Sequence, residues 1–167
     1  MGSEMCIRDR LEPDCFEKMV AYMRSNALDM AACGSLFVDA DTMKVRGIRN
    51  IQSNVILEGA LFESCFPQYY QVMRTHWAKM YRLDVIKKMN LSNCNIIPYG
   101  SDTLFVREAL LMSNRVGIMP EALYRYYVYP EVRDYNVVKG RTNAPRVLLE
   151  RDVSFLLQKC GSISSNT

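Results

Sequence analysis

The stretch from Ile96 to Tyr129 constrains the fold more than any other part of the chain. It opens as a loop, Ile96-Ile97-Pro98-Tyr99-Gly100, and passes into Ser101-Asp102-Thr103-Leu104-Phe105. Leu104, Phe105, Leu111 and Met112 then recur at helical spacing. The run Arg115 to Tyr129 follows, rich in apolar and aromatic residues, and reads as a short strand and a second strand. Gly100 permits a tight approach to the helix because it carries no Cβ. Ser101 suits an N-cap, and Asp102 falls in the first helical turn. One carboxylate therefore stands at the mouth of a loop, on a helix held by its apolar face.

Asp102 has two readings. An acid in a first turn favours the helix dipole by about 0.3–1 kcal/mol. A carboxylate fixed at such a junction is also well placed to act as a general base, which must reach the proton it abstracts. The local residues leave both open.

A resemblance adds weight to the second. Gly100-Ser101-Asp102-Thr103-Leu104-Phe105, with Ile118-Met119-Pro120-Glu121-Ala122-Leu123-Tyr124-Arg125-Tyr126-Tyr127, resembles the distal half of a family 2 glycosyltransferase of the GT-A fold. That family carries Gly-Glu-Asp-x-x-Phe at this point, and Ser101 departs from its Glu. The segment Trp77-Ala78-Lys79-Met80-Tyr81-Arg82-Leu83 is similar to the family's Trp-x-Lys-Leu-Tyr-Arg run. Leu11 to Met19 is similar to the segment that follows the family's metal-binding Asp-x-Asp. Together these matches cover Leu11 to Tyr129.

The resemblance implies an α/β fold: a partial GT-A-like domain with a mixed sheet, lacking the N-terminal nucleotide-binding half. It implies inverting sugar transfer from a nucleotide-sugar donor to a hydroxyl of a glycan or lipid-linked acceptor, as in polysaccharide biosynthesis. Asp102 is then the catalytic base, and Trp77, Lys79 and Arg82 are substrate-binding candidates. The family's cofactor is a divalent metal, Mg or Mn, on an Asp-x-Asp motif that is not visible here. The expectation is a fragment that is inactive alone. The alternative is a non-catalytic carbohydrate-binding or scaffolding domain.

The candidate residues also have plain readings. Trp77 suits a core or interface as well as a sugar-stacking face. Lys79 and Arg82 suit solvated positions as well as phosphate contacts, and in a helix they would share a face. His76, the only histidine, reads as a polar or hydrogen-bonded residue rather than a metal site by itself. Tyrosines from Tyr124 to Tyr135 serve either a strand or a sugar-stacking surface.

The rest of the chain frames these motifs. Met1 to Arg10 has no apolar period and reads as a non-native segment, so Asp9 is set aside although it falls near the place of the family's metal motif. Leu11 to Pro130 is the domain portion, and Glu131 to Thr167 is an extension with a helix from Pro145 to Cys160. Pro13 to Ser25 is an amphipathic helix, with Phe16, Met19, Val20, Met23 and Ala27 at helical spacing. Asp29 to Val38 is a strand, in which Gly34 marks a bulge or a close approach. Met43 to Ile48 returns as its hairpin partner. Asp39-Ala40-Asp41 between them reads as turn chemistry rather than a metal pair. Asn54 to Phe66 reads as a helix broken by Pro67, and Leu83 to Met89 as a short helix.

Composition closes off other classes. With 49% hydrophobic and 23% charged residues, the chain of 167 residues can bury a core. Its net charge of +3 is too modest for a nucleic-acid footprint. No apolar run reaches the ~20 residues of a membrane span. The six cysteines match no zinc spacing and read as free thiols in a reducing compartment, hence the cytoplasm. Peripheral contact with the inner membrane face stays open, though the C-terminal helix has few basic residues to support it.

Overall fold

The computed structural model describes residues 9–90 and 101–129. Pro130 and the extension from Glu131, with its expected helix, lie outside them, as do Gly100 and its loop. The strands are β1 (Arg10–Leu11), β2 (Met30–Asp39), β3 (Val45–Arg49), β4 (Val55–Glu58), β5 (Lys79–Tyr81) and β6 (Arg115–Val128). The helices are α1 (Cys15–Ser25), α2 (Gly59–Met73), α3 (Leu83–Lys88) and α4 (Ser101–Leu111).

One mixed sheet of six strands organises these elements. Its centre is the parallel pair β2 and β6, in register from Met30 opposite Val116 to Asp39 opposite Val128. Each central strand has two short antiparallel neighbours on its outer side. β2 pairs β5 through its first residues and β3 through its last. β6 pairs β4 first and then β1. Arg10 lies in β1, and the Asp9 carboxylate accepts from the Tyr124 hydroxyl at 2.7 Å and the Tyr127 N–H at 3.1 Å.

Alternation along the two central strands builds a core on each face, since successive side chains point to opposite sides. Met30, Ala32, Val116 and Ile118 meet Val72 and Met73 of α2, Val85 of α3, and Val106, Ala109 and Leu110 of α4. Ala31, Cys33, Met119 and Leu123 meet Cys15, Met19 and Met23 of α1. The result is an α/β sandwich with the sheet in the middle.

Gly34 lies at a close approach, as its place in the strand predicts. A Cβ there would sit 3.1 Å from the Arg49 carbonyl oxygen and 3.2 Å from Ala122 Cα. The Asp39-Ala40-Asp41 segment is a turn. Asp39 Oδ1 accepts from the Thr42 N–H at 2.8 Å and the Asp41 N–H at 3.1 Å, and its other oxygen pairs with Arg46. These contacts hold the Asp39 carboxyl at about 2, with the Thr42 N–H as the largest cause.

Several expectations are corrected. The two strands expected after Arg115 are one, β6. Pro120 and Glu121, which interrupt its apolar pattern, fall where the register slips: Ala32 faces Ile118, yet Gly34 faces Ala122. A bulge tolerates a proline because no ladder hydrogen bond is asked of it. The sheet is mixed because β2 and β6 run parallel while their outer neighbours pair antiparallel. Val55–Glu58 is a strand, and the helix behind it runs through Pro67. A mid-helix proline costs ~3 kcal/mol. Burying Val72 and Met73 at the end of α2 contributes about 3–6 kcal/mol in compensation. Lys79 stands in β5 and Arg82 just before α3, so no helix face joins them. In α4, Ser101 is itself helical rather than a cap before the helix. Its buried face is Val106, Ala109 and Leu110, while Met112 is exposed. In α1 the buried stripe is Cys15, Met19 and Met23, and Phe16 faces solvent.

Candidate active site

α4 brings Asp102 to the segment 74–79, which runs from the end of α2 into β5. Phe105, one turn along from Asp102, docks the helix there. Its ring centroid lies 5.5 Å from Tyr81 and 6.5 Å from His76, edge-on to both. His76 Nδ1 then stands 3.6 Å from Asp102 Oδ2. This contact, aided by the positive charge of Arg74, holds the Asp102 carboxyl below its ordinary range against the opposing effect of burial. Asp102 is therefore an ionised, half-buried carboxylate at neutral pH, able to accept a proton.

Trp77, next to His76, is the hub of an aromatic cluster. Its ring stacks on Tyr124 at 5.1 Å and on Tyr126 at 5.4 Å, and meets Phe37 edge-on at 6.3 Å. Tyr124 and Tyr126 are alternate residues of β6 and so share one face. The β propensity of these tyrosines and their ring contacts are thus compatible readings of the same residues.

Lys79 is enclosed. Its ammonium donates to the Val72 carbonyl at 2.8 Å and the Trp77 carbonyl at 3.3 Å. Burial pushes its pKa down to about 7. Arg82 makes a fork with Asp84 at 2.9 and 2.6 Å and reaches Asp29 Oδ1 at 2.8 Å. The structure thus brings Asp102 and Trp77 to one short segment with Lys79, while Arg82 is held among carboxylates at the far end of β5.

His76 reads from sequence as a polar or hydrogen-bonded residue without a named partner, and Arg49 and Arg74 were passed over. His76 is the partner of Asp102. Arg49, at the end of β3, lies over the Phe37 and Trp77 rings at 4.9 and 5.6 Å. Arg74 adds positive charge at the end of α2. The position of His76 beside Trp77 was the only sequence signal for any of them.

A divalent ion does not fit the described residues. Among them no three His, Cys, Asp or Glu side chains gather as ligands. Asp39 is committed to its turn and Arg46, and Asp102 to His76. Also among the described residues, no helix is long and apolar enough to cross a membrane.

The site is carried on a mixed six-stranded α/β sheet with helices packed on both faces, and this fold has known counterparts. Two solved structures of S. aureus TarS, residues 1–349, share it. The complex with UDP-GlcNAc matches with a TM-score of 0.51 and 16% identity over 72% of this chain and 32% of that one. The complex with UDP matches with a TM-score of 0.54 and 17% identity over 74% of this chain and 34% of that one. The chain spans about a third of the length of these structures. No family model and no curated protein matches the chain.

Proposed function

We propose that this chain is part of an inverting family 2 glycosyltransferase. The protein transfers a sugar from a nucleotide-sugar donor to a hydroxyl of a glycan or lipid-linked acceptor. The observation that carries the reading is the Asp102 carboxylate, held ionised by His76 at the start of α4, on a fold shared with a UDP-sugar-bound protein. In the proposed step the acceptor hydroxyl gives its proton to Asp102. The acceptor oxygen bonds to the anomeric carbon as the bond from that carbon to the diphosphate breaks, and the nucleoside diphosphate leaves.

Trp77 supports the acceptor in this reading. A substrate contact by Lys79 or Arg82 requires exchange of the carbonyls or carboxylates they now hold, so both enter as residues that position the 74–84 segment. A divalent ion, Mg or Mn, belongs to the same proposal in the whole enzyme, on a motif not visible in this chain, and no step is routed through it. A cytoplasmic enzyme, peripheral to the inner membrane face, fits the free Cys15, Cys33 and Cys65.

Substituting Asp102→Asn in the completed protein of which this chain is part, incubated with UDP-sugars and hydroxyl acceptors, tests the reading. Turnover, read as nucleoside diphosphate release, should fall by about 10²–10⁴ while donor binding persists. Unchanged turnover would remove Asp102 as the base. The aromatic cluster of Phe37, Trp77, Tyr124 and Tyr126 favours a second reading, carbohydrate binding without transfer. Sugar binding that depends on Trp77, with no turnover on any donor, would select it.

A further inference from the structure

The transfer reading leaves one feature of the site unused. Arg46, Arg82, Arg115 and Arg125 are each paired with a carboxylate. Arg49 is different. Its guanidinium is laid on Phe37 and Trp77, yet its Nη1 is buried with no hydrogen-bond partner. An unsatisfied buried donor costs about 1–3 kcal/mol, and more when charged. The fold nevertheless holds this one in place, because the rings fix a planar guanidinium as they would not fix an ammonium. Arg74 is close enough that its charge adds to burial in depressing the Arg49 pKa. Bringing two guanidinium groups together without an anion between them is unfavourable. The neighbouring Thr75 hydroxyl is also buried without a partner. Unmet donors and the positive charges of Arg49 and Arg74 therefore collect beside Trp77, with the Asp102 carboxylate the anion on the Arg74 side.

We propose that Arg49 and Arg74 form a site for a phosphoryl group of a substrate, with Arg49 fixed on the Trp77 and Phe37 rings as its rigid donor. A phosphoryl group offers several oxygen acceptors and matches the fork of a guanidinium. Two sources fit this chemistry: the diphosphate of the nucleotide-sugar donor, or a phosphate carried by the acceptor. Only this choice of source rests on the transfer reading. Oxyanion binding itself does not.

The test titrates the chain with inorganic pyrophosphate and, separately, with UDP, by calorimetry at low salt. Wild type is compared with Arg49→Gln, Arg49→Lys and Arg74→Gln, and with Lys18→Gln as a control on α1. Pyrophosphate affinity should fall about tenfold or more in Arg49→Gln, less in Arg49→Lys, and severalfold in Arg74→Gln. Lys18→Gln should match wild type. A parallel loss of UDP affinity assigns the site to the donor diphosphate. Unchanged UDP binding alongside weakened pyrophosphate binding assigns it to an acceptor phosphate. The proposal is overturned if wild type does not bind pyrophosphate, or if the arginine variants bind it as wild type does. Should Arg49→Gln fail to fold, the exposed Arg74→Gln decides alone. A transfer reading that fails with Asp102→Asn leaves Arg49-dependent pyrophosphate binding intact, so the two failures are distinct.

Discussion

Arg82 Nη1 lies 2.8 Å from Asp29 Oδ1, and this pair ties three parts of the fold together. Asp29 is buried just before β2. Its other oxygen accepts from the Asn114 N–H at 2.7 Å and the Arg115 N–H at 3.1 Å, at the entry to β6. Its own backbone bonds to the Arg115 carbonyl and the Arg82 N–H, both at 2.9 Å. Asp29→Ala strands two backbone donors and removes the carboxylate from its arginine, so a loss of about 3 kcal/mol is expected. Arg82→Ala should cost clearly less, because Arg82 keeps half its side chain in water and its loss frees Asp29 to meet solvent. Urea unfolding of both variants checks this order. Equal losses would show that the ion pair, rather than the backbone contacts of Asp29, holds the junction.

The His76–Asp102 contact predicts a pH dependence with a definite sign. The native Asp102 pKa lies below its ordinary value, with the His76 contact as the largest cause. Such a group stabilises the folded state fully above its unfolded pKa. That contribution is lost as pH falls through the lowered native value. His76→Gln leaves burial to dominate, so the native pKa should rise and the acid limb should move to higher pH. Carboxyl-selective NMR titration of Asp102 in both proteins reads the shift directly. An unmoved Asp102 titration would detach the two side chains from one another.

Local pattern made much of this legible. The helix over Cys15–Ser25, the strand over Met30–Asp39, its hairpin partner and the Asp39 turn follow from apolar spacing and turn chemistry, which act over a few residues. The errors lie where distant contacts decide. Pro67 reads as a stop, but the buried end of α2 carries the helix through it. Arg115 to Tyr129 reads as two strands, but β2 absorbs Pro120 in a slipped register and one strand continues. The site divides in the same way. Asp102 and Trp77 stand out by motif, whereas the pairing of Asp102 with His76, and the seating of Arg49 on Trp77, join segments that no local period connects.

Gly117 marks a close approach that no alternation pattern reveals. A Cβ on it would meet Leu28 Cδ1 at 2.3 Å and Tyr22 Cε1 at 2.7 Å. Tyr22 has little room to retreat, since its hydroxyl donates to the Val55 and Ile118 carbonyls at 3.1 and 3.2 Å. Gly117→Ala should therefore destabilise the fold by about 1–3 kcal/mol through overpacking, although alanine is otherwise the gentlest replacement. Pairing it with Tyr22→Phe should recover part of the loss by freeing the ring. Thermal unfolding of the single and double variants gives the answer. Strict additivity would place the strain elsewhere.

The cysteines give the last prediction. Cys33 is buried in the sheet with its thiol directed at the Ala78 carbonyl, 3.6 Å away, and burial pushes its pKa up to about 12. Cys15 is buried on α1, and burial raises its pKa as well. Only the thiolate attacks an alkylating reagent, and at pH 8 a thiol of that pKa is ionised on the order of one part in ten thousand. Cys65 on α2 is less buried than either. Brief iodoacetamide treatment of the folded protein, followed by peptide mass mapping, should therefore modify Cys65 well before Cys15 or Cys33. In denaturant all three should react at similar rates, because the cause of the difference is burial. Early modification of Cys33 under native conditions would mean that β2 opens readily, and would contradict its place at the centre of the sheet.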